Sequence, residues 1–182
     1  MIGNKLKFKK GFTLVELLVA AVTFSIVFSG VMGALASSIK YQKYNLAHHR
    51  LIGEASYAME YMARVLRMAQ LGEGGGSCPD GHAYNVLANG KMVAFVDYNG
   101  FCRRFYWDED INQLITEGDF GSAALTSDDF EIINLLFSVK GDVLGDNLQP
   151  SVTVLMELRE KKLPDKPIIV LQTTVSQRNL DM

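Results

Sequence analysis

The sequence is poor in cysteine, proline and tryptophan, with two, four and one respectively in 182 residues. Two cysteines cannot build a disulfide-dense scaffold or a four-cysteine metal site, and their wide separation excludes a CxxC redox centre. So few prolines, beside 48% hydrophobic residues, exclude disorder throughout. Neither sign of charge dominates: 18 Lys+Arg stand against 20 Asp+Glu. The chain as a whole therefore has no electrostatic footprint for nucleic acid. Neither a phosphate-loop motif ending in Gly-Lys-Ser/Thr nor a His-Glu-x-x-His zinc motif occurs. Gly72-Glu73-Gly74-Gly75-Gly76-Ser77 shares only glycine content with a phosphate loop and reads as a flexible connection. His48 and His49 would diverge by about 100° on a helix, and His82 is distant, so the three are poorly placed for one metal. The length suits one domain plus an attachment.

Another absence is local. No residue from Leu17 to Ile39 is charged. As a helix this stretch would rise roughly 34 Å, against about 30 Å of bilayer hydrocarbon. Lys5, Lys7, Lys9 and Lys10 precede it without an acid, and the next cation is Lys40. That asymmetry predicts a cytoplasmic amino terminus and an exported remainder. Tyr41 and Tyr44 suit the outer interface, where an aromatic ring is half wet. A signal anchor, a secretory signal peptide and a leader cut ahead of the apolar run all share this layout. Ala34-Leu35-Ala36 offers a secretory cleavage pattern, although the apolar run exceeds the usual length of such peptides. Glu16 at its edge costs several kcal/mol unless neutralised or paired, so it needs a partner.

Lys9-Lys10-Gly11-Phe12-Thr13-Leu14-Val15-Glu16-Leu17-Leu18-Val19-Ala20 resembles the start of a type IV pilin or pseudopilin precursor. The match combines a basic leader, a Gly-Phe junction, a glutamate five residues past the glycine, and an apolar run. The resemblance implies cleavage between Gly11 and Phe12 by a prepilin peptidase, with methylation of the new amino terminus. It implies that Glu16 faces the Phe12 ammonium of a neighbouring subunit and acts in assembly, not catalysis. The implied partners are that peptidase, other pilin or pseudopilin subunits, membrane lipid, and an inner-membrane assembly platform driven by a separate ATPase. Each residue suits its role. Glycine leaves a protease cleft unobstructed, and the lysines hold the leader at an anionic surface. An ion pair in lipid is costly to break. The sequence departs from many major pilins in lacking a proline midway along the membrane helix. Gly30 and Gly33 stand there instead, and with Ser29, Ala34 and Ser37 they permit close helix approach.

Helical periodicity continues past the membrane run. Tyr44, Ala47, Leu51, Ala55, Ala58, Met62, Val65 and Ala69 recur at steps of three and four. If continuous from Phe12 to about Gln70, the helix would have about 59 residues and span roughly 88 Å. Beyond it, Tyr84–Ala88 and Lys91–Val96 flank Asn89-Gly90, a hairpin signal. Phe101–Trp107, Ile111–Thr116, Phe130–Val139, Ser151–Leu158 and Ile168–Val175 read as further strands. Loops are expected at Gly118–Asp129, Lys140–Pro150 and Glu160–Pro167. The expected class is α+β and pilin-like, with one very long helix packed on an antiparallel sheet. The expected division is a leader (1–11), a membrane and assembly helix (12–39), the exported half of the helix (40–71) and a sheet domain (72–182). The stretches around Leu125-Thr126-Ser127 and Leu171-Gln172-Thr173-Thr174-Val175 also resemble the carboxyl-terminal pattern of pseudopilins and minor pilins.

Cys78 and Cys102 would close a loop of roughly 25 residues, worth about 3.5 kcal/mol if oxidised after export. Two unpaired thiols are the alternative. Acids cluster at Asp108-Glu109-Asp110 and at Asp142 with Asp146, but neither fits the twelve-residue calcium loop, and a solvated turn is the simpler reading. Arg103 and Arg104 lie among Phe101, Phe105, Tyr106 and Trp107, a composition seen where single-stranded DNA stacks. Strand alternation sends the two arginines to opposite faces, so at most one serves a given surface. Three classes of function follow. They are a filament subunit, a membrane-anchored exported binding module that never polymerises, and a secreted enzyme released after Ala36. No catalytic constellation accompanies the third, and no cofactor or metal site is expected.

Overall fold

The computed structural model describes residues 11–72, 78–142, 148–161 and 168–178. Its elements are α1 (Leu14–Arg67), β1 (Tyr84–Leu87), β2 (Met92–Val96), β3 (Cys102–Asp108), β4 (Gln113–Gly118), β5 (Gly121–Ala124), β6 (Phe130–Lys140), β7 (Ser151–Glu160) and β8 (Ile168–Ser176). The fold is α+β: one long amino-terminal helix, packed against antiparallel sheets. The chain divides into two compact units, one ending at Asn45 and one beginning at Leu46.

The first unit holds the apolar part of α1. Leu, Val, Ala and Phe dominate, no proline interrupts, and every residue from Gly11 to Asn45 is exposed. This is one helix long and apolar enough to cross a membrane, with none of its apolar window buried. Three of its hydroxyls turn inward on the helix. Thr23 donates to the carbonyls of Val19 and Ala20, Ser25 to that of Ala21 and Ser37 to that of Gly33. Such back-bonding satisfies a hydroxyl that lipid could not.

In the second unit, the remainder of α1 supplies one wall of the core. Leu51, Ala55, Ala58, Met62 and Leu66 are fully buried, at the spacing that puts them on one helix face. Val65, expected on the stripe, is only partly buried, and Leu66 takes the core position. Opposite them lie Val93, Phe95, Phe105 and Leu114 from one sheet, and Leu135, Phe137, Val154 and Met156 from the other. The helix is shorter than the periodicity suggests at both ends. At its carboxyl end, Met68 and Ala69 donate to the carbonyls of Val65 and Leu66, tightening the last turn. Gln70 then leaves to bridge Val96. The freed carbonyls find other donors: Arg178 N–H reaches Arg67 O at 2.8 Å, and the Gln177 amide reaches Ala69 O at 2.9 Å.

The strands form two sheets where the sequence suggested one. The first has the order β1-β2-β3-β4-β5 and the second β6-β7-β8, all antiparallel. Two local expectations are corrected. The β1–β2 connection spans Ala88–Lys91, wider than an Asn-Gly turn, because Leu87 pairs with Met92. Ala88, Asn89 and Gly90 all have positive φ. Gly90 also lies against β6, where a Cβ would come 2.5 Å from Leu136 Cδ1. The expected loop 118–129 contains β5, paired to β4 with Gly118 opposite Gly121. Its Gly-Ser-Ala-Ala sequence has no strand propensity, and it is ordered by the edge that β4 offers. Of the other expected loops, residues 143–147 and 162–167 lie outside the described residues.

Candidate functional site

Gly11, Phe12 and Thr13 precede the helix and are exposed. A Cβ on Gly11 would meet nothing within 4 Å. The Gly11–Phe12 bond thus stands in open, non-helical backbone, the form in which a protease receives a substrate. Lys5, Lys7, Lys9 and Lys10 lie outside the described residues.

Thr13 and Glu16 then start the helix together. Thr13 N–H donates to Glu16 Oε2 at 3.2 Å, and Glu16 N–H donates to Thr13 Oγ1 at 3.2 Å. The Thr13 hydroxyl lies 3.3 Å from the same carboxylate oxygen. This is a capping box, in which two backbone donors with no helical partner are satisfied reciprocally. The carboxylate also sits at the positive end of the helix dipole, where a negative charge is favoured. Phe12 precedes the cap and Leu17 lies one residue past the glutamate; both border the same apolar hollow, as in a hydrophobic staple. The sequence reading sought the partner of Glu16 in a neighbouring subunit and missed Thr13, although Thr-x-x-Glu ahead of an apolar run is the signature of this cap.

The remaining candidates lie in the second unit. Cys78 and Cys102 are bonded, with Cα atoms 5.9 Å apart, which ties the residues just after the glycine-rich stretch to β3. Arg103 and Arg104 do fall on opposite faces. Arg103 donates to Tyr61 Oη at 3.1 Å and to Asp97 Oδ2 at 3.2 Å, while Arg104 donates to Glu117 Oε1 at 2.5 Å. Both guanidiniums are therefore engaged with carboxylates. Asp97 is the better-built residue here. It is 2% exposed, and it also accepts the N–H groups of Asn99 and Phe101, which fixes the β2–β3 turn.

The acidic clusters act on backbone. Asp108 Oδ1 accepts the N–H groups of Asp110 and Ile111, and Glu109 pairs with Lys91. The Asp142 carboxylate accepts the N–H groups of Ala83 and Tyr84, at 2.8 and 3.1 Å, and so holds the start of β1. Asp146 lies outside the described residues. Among the described residues no three His, Cys, Asp or Glu side chains gather as a metal site would require. His82 is hydrogen-bonded through Nδ1 to the Asp142 carbonyl, at 2.6 Å.

No curated protein matches the chain, and no solved structure matches it. Residues 6–32 match the family model of the prokaryotic N-terminal methylation motif, a segment that includes the Gly11–Phe12 junction, the Thr13–Glu16 cap and the first five turns of the apolar helix.

Proposed function

We propose that this chain is a structural subunit of a type IV pilus or a type II secretion pseudopilus. In this reading a prepilin peptidase cuts after Gly11 and methylates Phe12. The leader faces the cytoplasm, and the domain that follows the membrane helix is exported. The observation that carries the proposal is a coincidence of position. The methylation motif ends inside an apolar helix that none of the described residues covers, and its junction lies in open backbone immediately ahead of the cap. Removing the leader leaves that helix attached, with a new ammonium at its tip. Glu16 of a neighbouring subunit supplies the opposite charge, and in lipid that attraction is only weakly screened. Packing of residues 12–39 between subunits provides the rest of the cohesion. A cytoplasmic ATPase on a separate assembly platform supplies the work.

One observation favours the second reading, an anchored module that does not polymerise. Glu16 already has work inside its own chain, as half of the capping box. Glu16→Gln separates the two, because glutamine keeps the cap but carries no charge. In the filament reading E16Q loses assembly while remaining processed and stable. Normal incorporation of E16Q into sheared filaments would favour the anchor. The first measurement is the amino-terminal mass of the protein from native membranes. N-methylated Phe12 supports the filament reading, an intact Met1 supports the anchor, and a chain starting at Ser37 supports a secreted protein.

A further inference from the structure

Among the described residues the last strand, β8, pairs with β7 alone and has one edge without a partner. Its other edge presents backbone donors and acceptors along nine residues, about 30 Å of strand. Proteins usually blunt such an edge with shortness, charge, proline or a bulge. The edge strands of the other sheet, β1 and β5, follow that rule with four residues each. In contrast β8 uses none of these devices. From Ile168 to Ser176 it has no charge and no proline, and its register with β7 runs without a shift. Ile168 and Val170 are 56% and 58% exposed on one face, while Ile169 and Leu171 are only partly buried on the other.

We propose that β8 pairs antiparallel with β8 of a second copy of this chain, joining two three-stranded sheets into one of six. A two-fold contact sets each residue against its counterpart across the axis. With Gln172 on the axis, Val170 faces Thr174 of the second copy and Ile168 faces Ser176. On the other face Leu171 meets Thr173 and Ile169 meets Val175. The occupant follows from the charge pattern. A strand with a charge at its centre repels its own copy, whereas this one is uncharged along its whole length and so tolerates itself. The pairing also covers Ile169 and Leu171. It closes at two chains and does not propagate, so it stands apart from the head-to-tail contacts of a filament and does not rest on that reading.

The test is cross-linking of the full-length chain in membranes. Cys78 and Cys102 are bonded to each other, so Q172C adds the one free thiol. Facing residues of an antiparallel pair have Cα atoms about 4.5 or 5.5 Å apart, within the span of a disulfide. S138C, on an exposed position of β6, is the comparison. Under mild oxidant Q172C is expected to form about tenfold more dimer than S138C. Adding V170D/T174D sets carboxylates of the two copies face to face and should lower the dimer about tenfold. Replacing that pair by V170D/T174K makes the same contacts attractive and should restore it, which separates a lost contact from a lost fold. Equal cross-linking of Q172C and S138C overturns the proposal. So does an undiminished dimer with V170D/T174D, or a failure of V170D/T174K to restore it.

Discussion

Thr13 and Glu16 satisfy each other's backbone at the start of α1, and single substitutions there separate local from intermolecular effects. Thr13→Ala removes the cap oxygen and should cost about 1 kcal/mol of helix stability while leaving the charge of Glu16 in place. Circular dichroism of the detergent-solubilised chain should show fraying, and assembly should survive. Loss of assembly in T13A as complete as in E16Q would mean that assembly needs the cap as well as the charge. Tyr84 gives a second test. Its hydroxyl donates to Leu66 O at 2.8 Å. Burial, and then the nearby Asp142 carboxylate, push its ionisation far above the ordinary phenol range. In the unfolded chain tyrosine titrates near about pH 10. A raised folded pKa means that the stability Tyr84 lends is whole below about pH 10 and declines as the pH rises beyond it. Tyr84→Phe should flatten that alkaline decline in urea titrations and cost about 1 kcal/mol at neutral pH. An unchanged alkaline slope in Y84F would remove Tyr84 as its source.

Single elements depend on ties that are distant in sequence. The β2–β3 turn is organised by Asp97, buried against Arg103 and two backbone donors. Asp97→Ala leaves those donors and the guanidinium without their acceptor, and should destabilise the domain by about 3 kcal/mol. Thermal unfolding of the variant beside wild type measures it, and a change below about 1 kcal/mol would mean that water replaces the carboxylate. The same end of the sheet carries the Cys78–Cys102 bond. Replacing both cysteines by serine should cost about 3 kcal/mol, mainly by restoring freedom to the unfolded chain. At the helix end each freed carbonyl has its own donor, Arg178 N–H for Arg67 O and the Gln177 amide for Ala69 O.

For the whole molecule, orientation is the property with most at stake. On the proposed topology the leader lysines lie on the cytoplasmic side of the span. Lys40, Lys43 and Arg50 lie just beyond it. Neutralising these side chains in K5Q/K7Q/K9Q/K10Q shifts the cationic excess to the exported side, and the positive-inside rule then favours the reverse insertion. The protein carries its own reporter, because a disulfide forms in the exported compartment and not in the cytoplasm. The quadruple variant should lose most of its Cys78–Cys102 bond, seen as free thiols under alkylation. Full oxidation of that variant would show that something other than the leader sets the topology. The proposed cleavage would change the balance as well, leaving 14 basic against 20 acidic side chains.

What the sequence determined by itself is what depends on neighbouring residues. The uncharged run, the four lysines and the Gly-Phe pair lie within one stretch, so the apolar span and the methylation motif are legible there. The 3.6-residue stripe through Leu51, Ala55, Ala58 and Met62 likewise reports a helix face, because periodicity is local. The Thr13–Glu16 cap is equally local and legible from its spacing. Tertiary structure decided the rest. The helix ends at Arg67 because Gln70 is drawn to Val96, a partner 26 residues on. Strand β5 exists because β4 lends its edge to a sequence with no strand preference of its own. The separation into two sheets, the Asp97–Arg103–Tyr61 network and the open edge of β8 depend on which strands become neighbours. Composition and periodicity constrain a segment's own conformation, but pairing partners are chosen by packing over the whole domain.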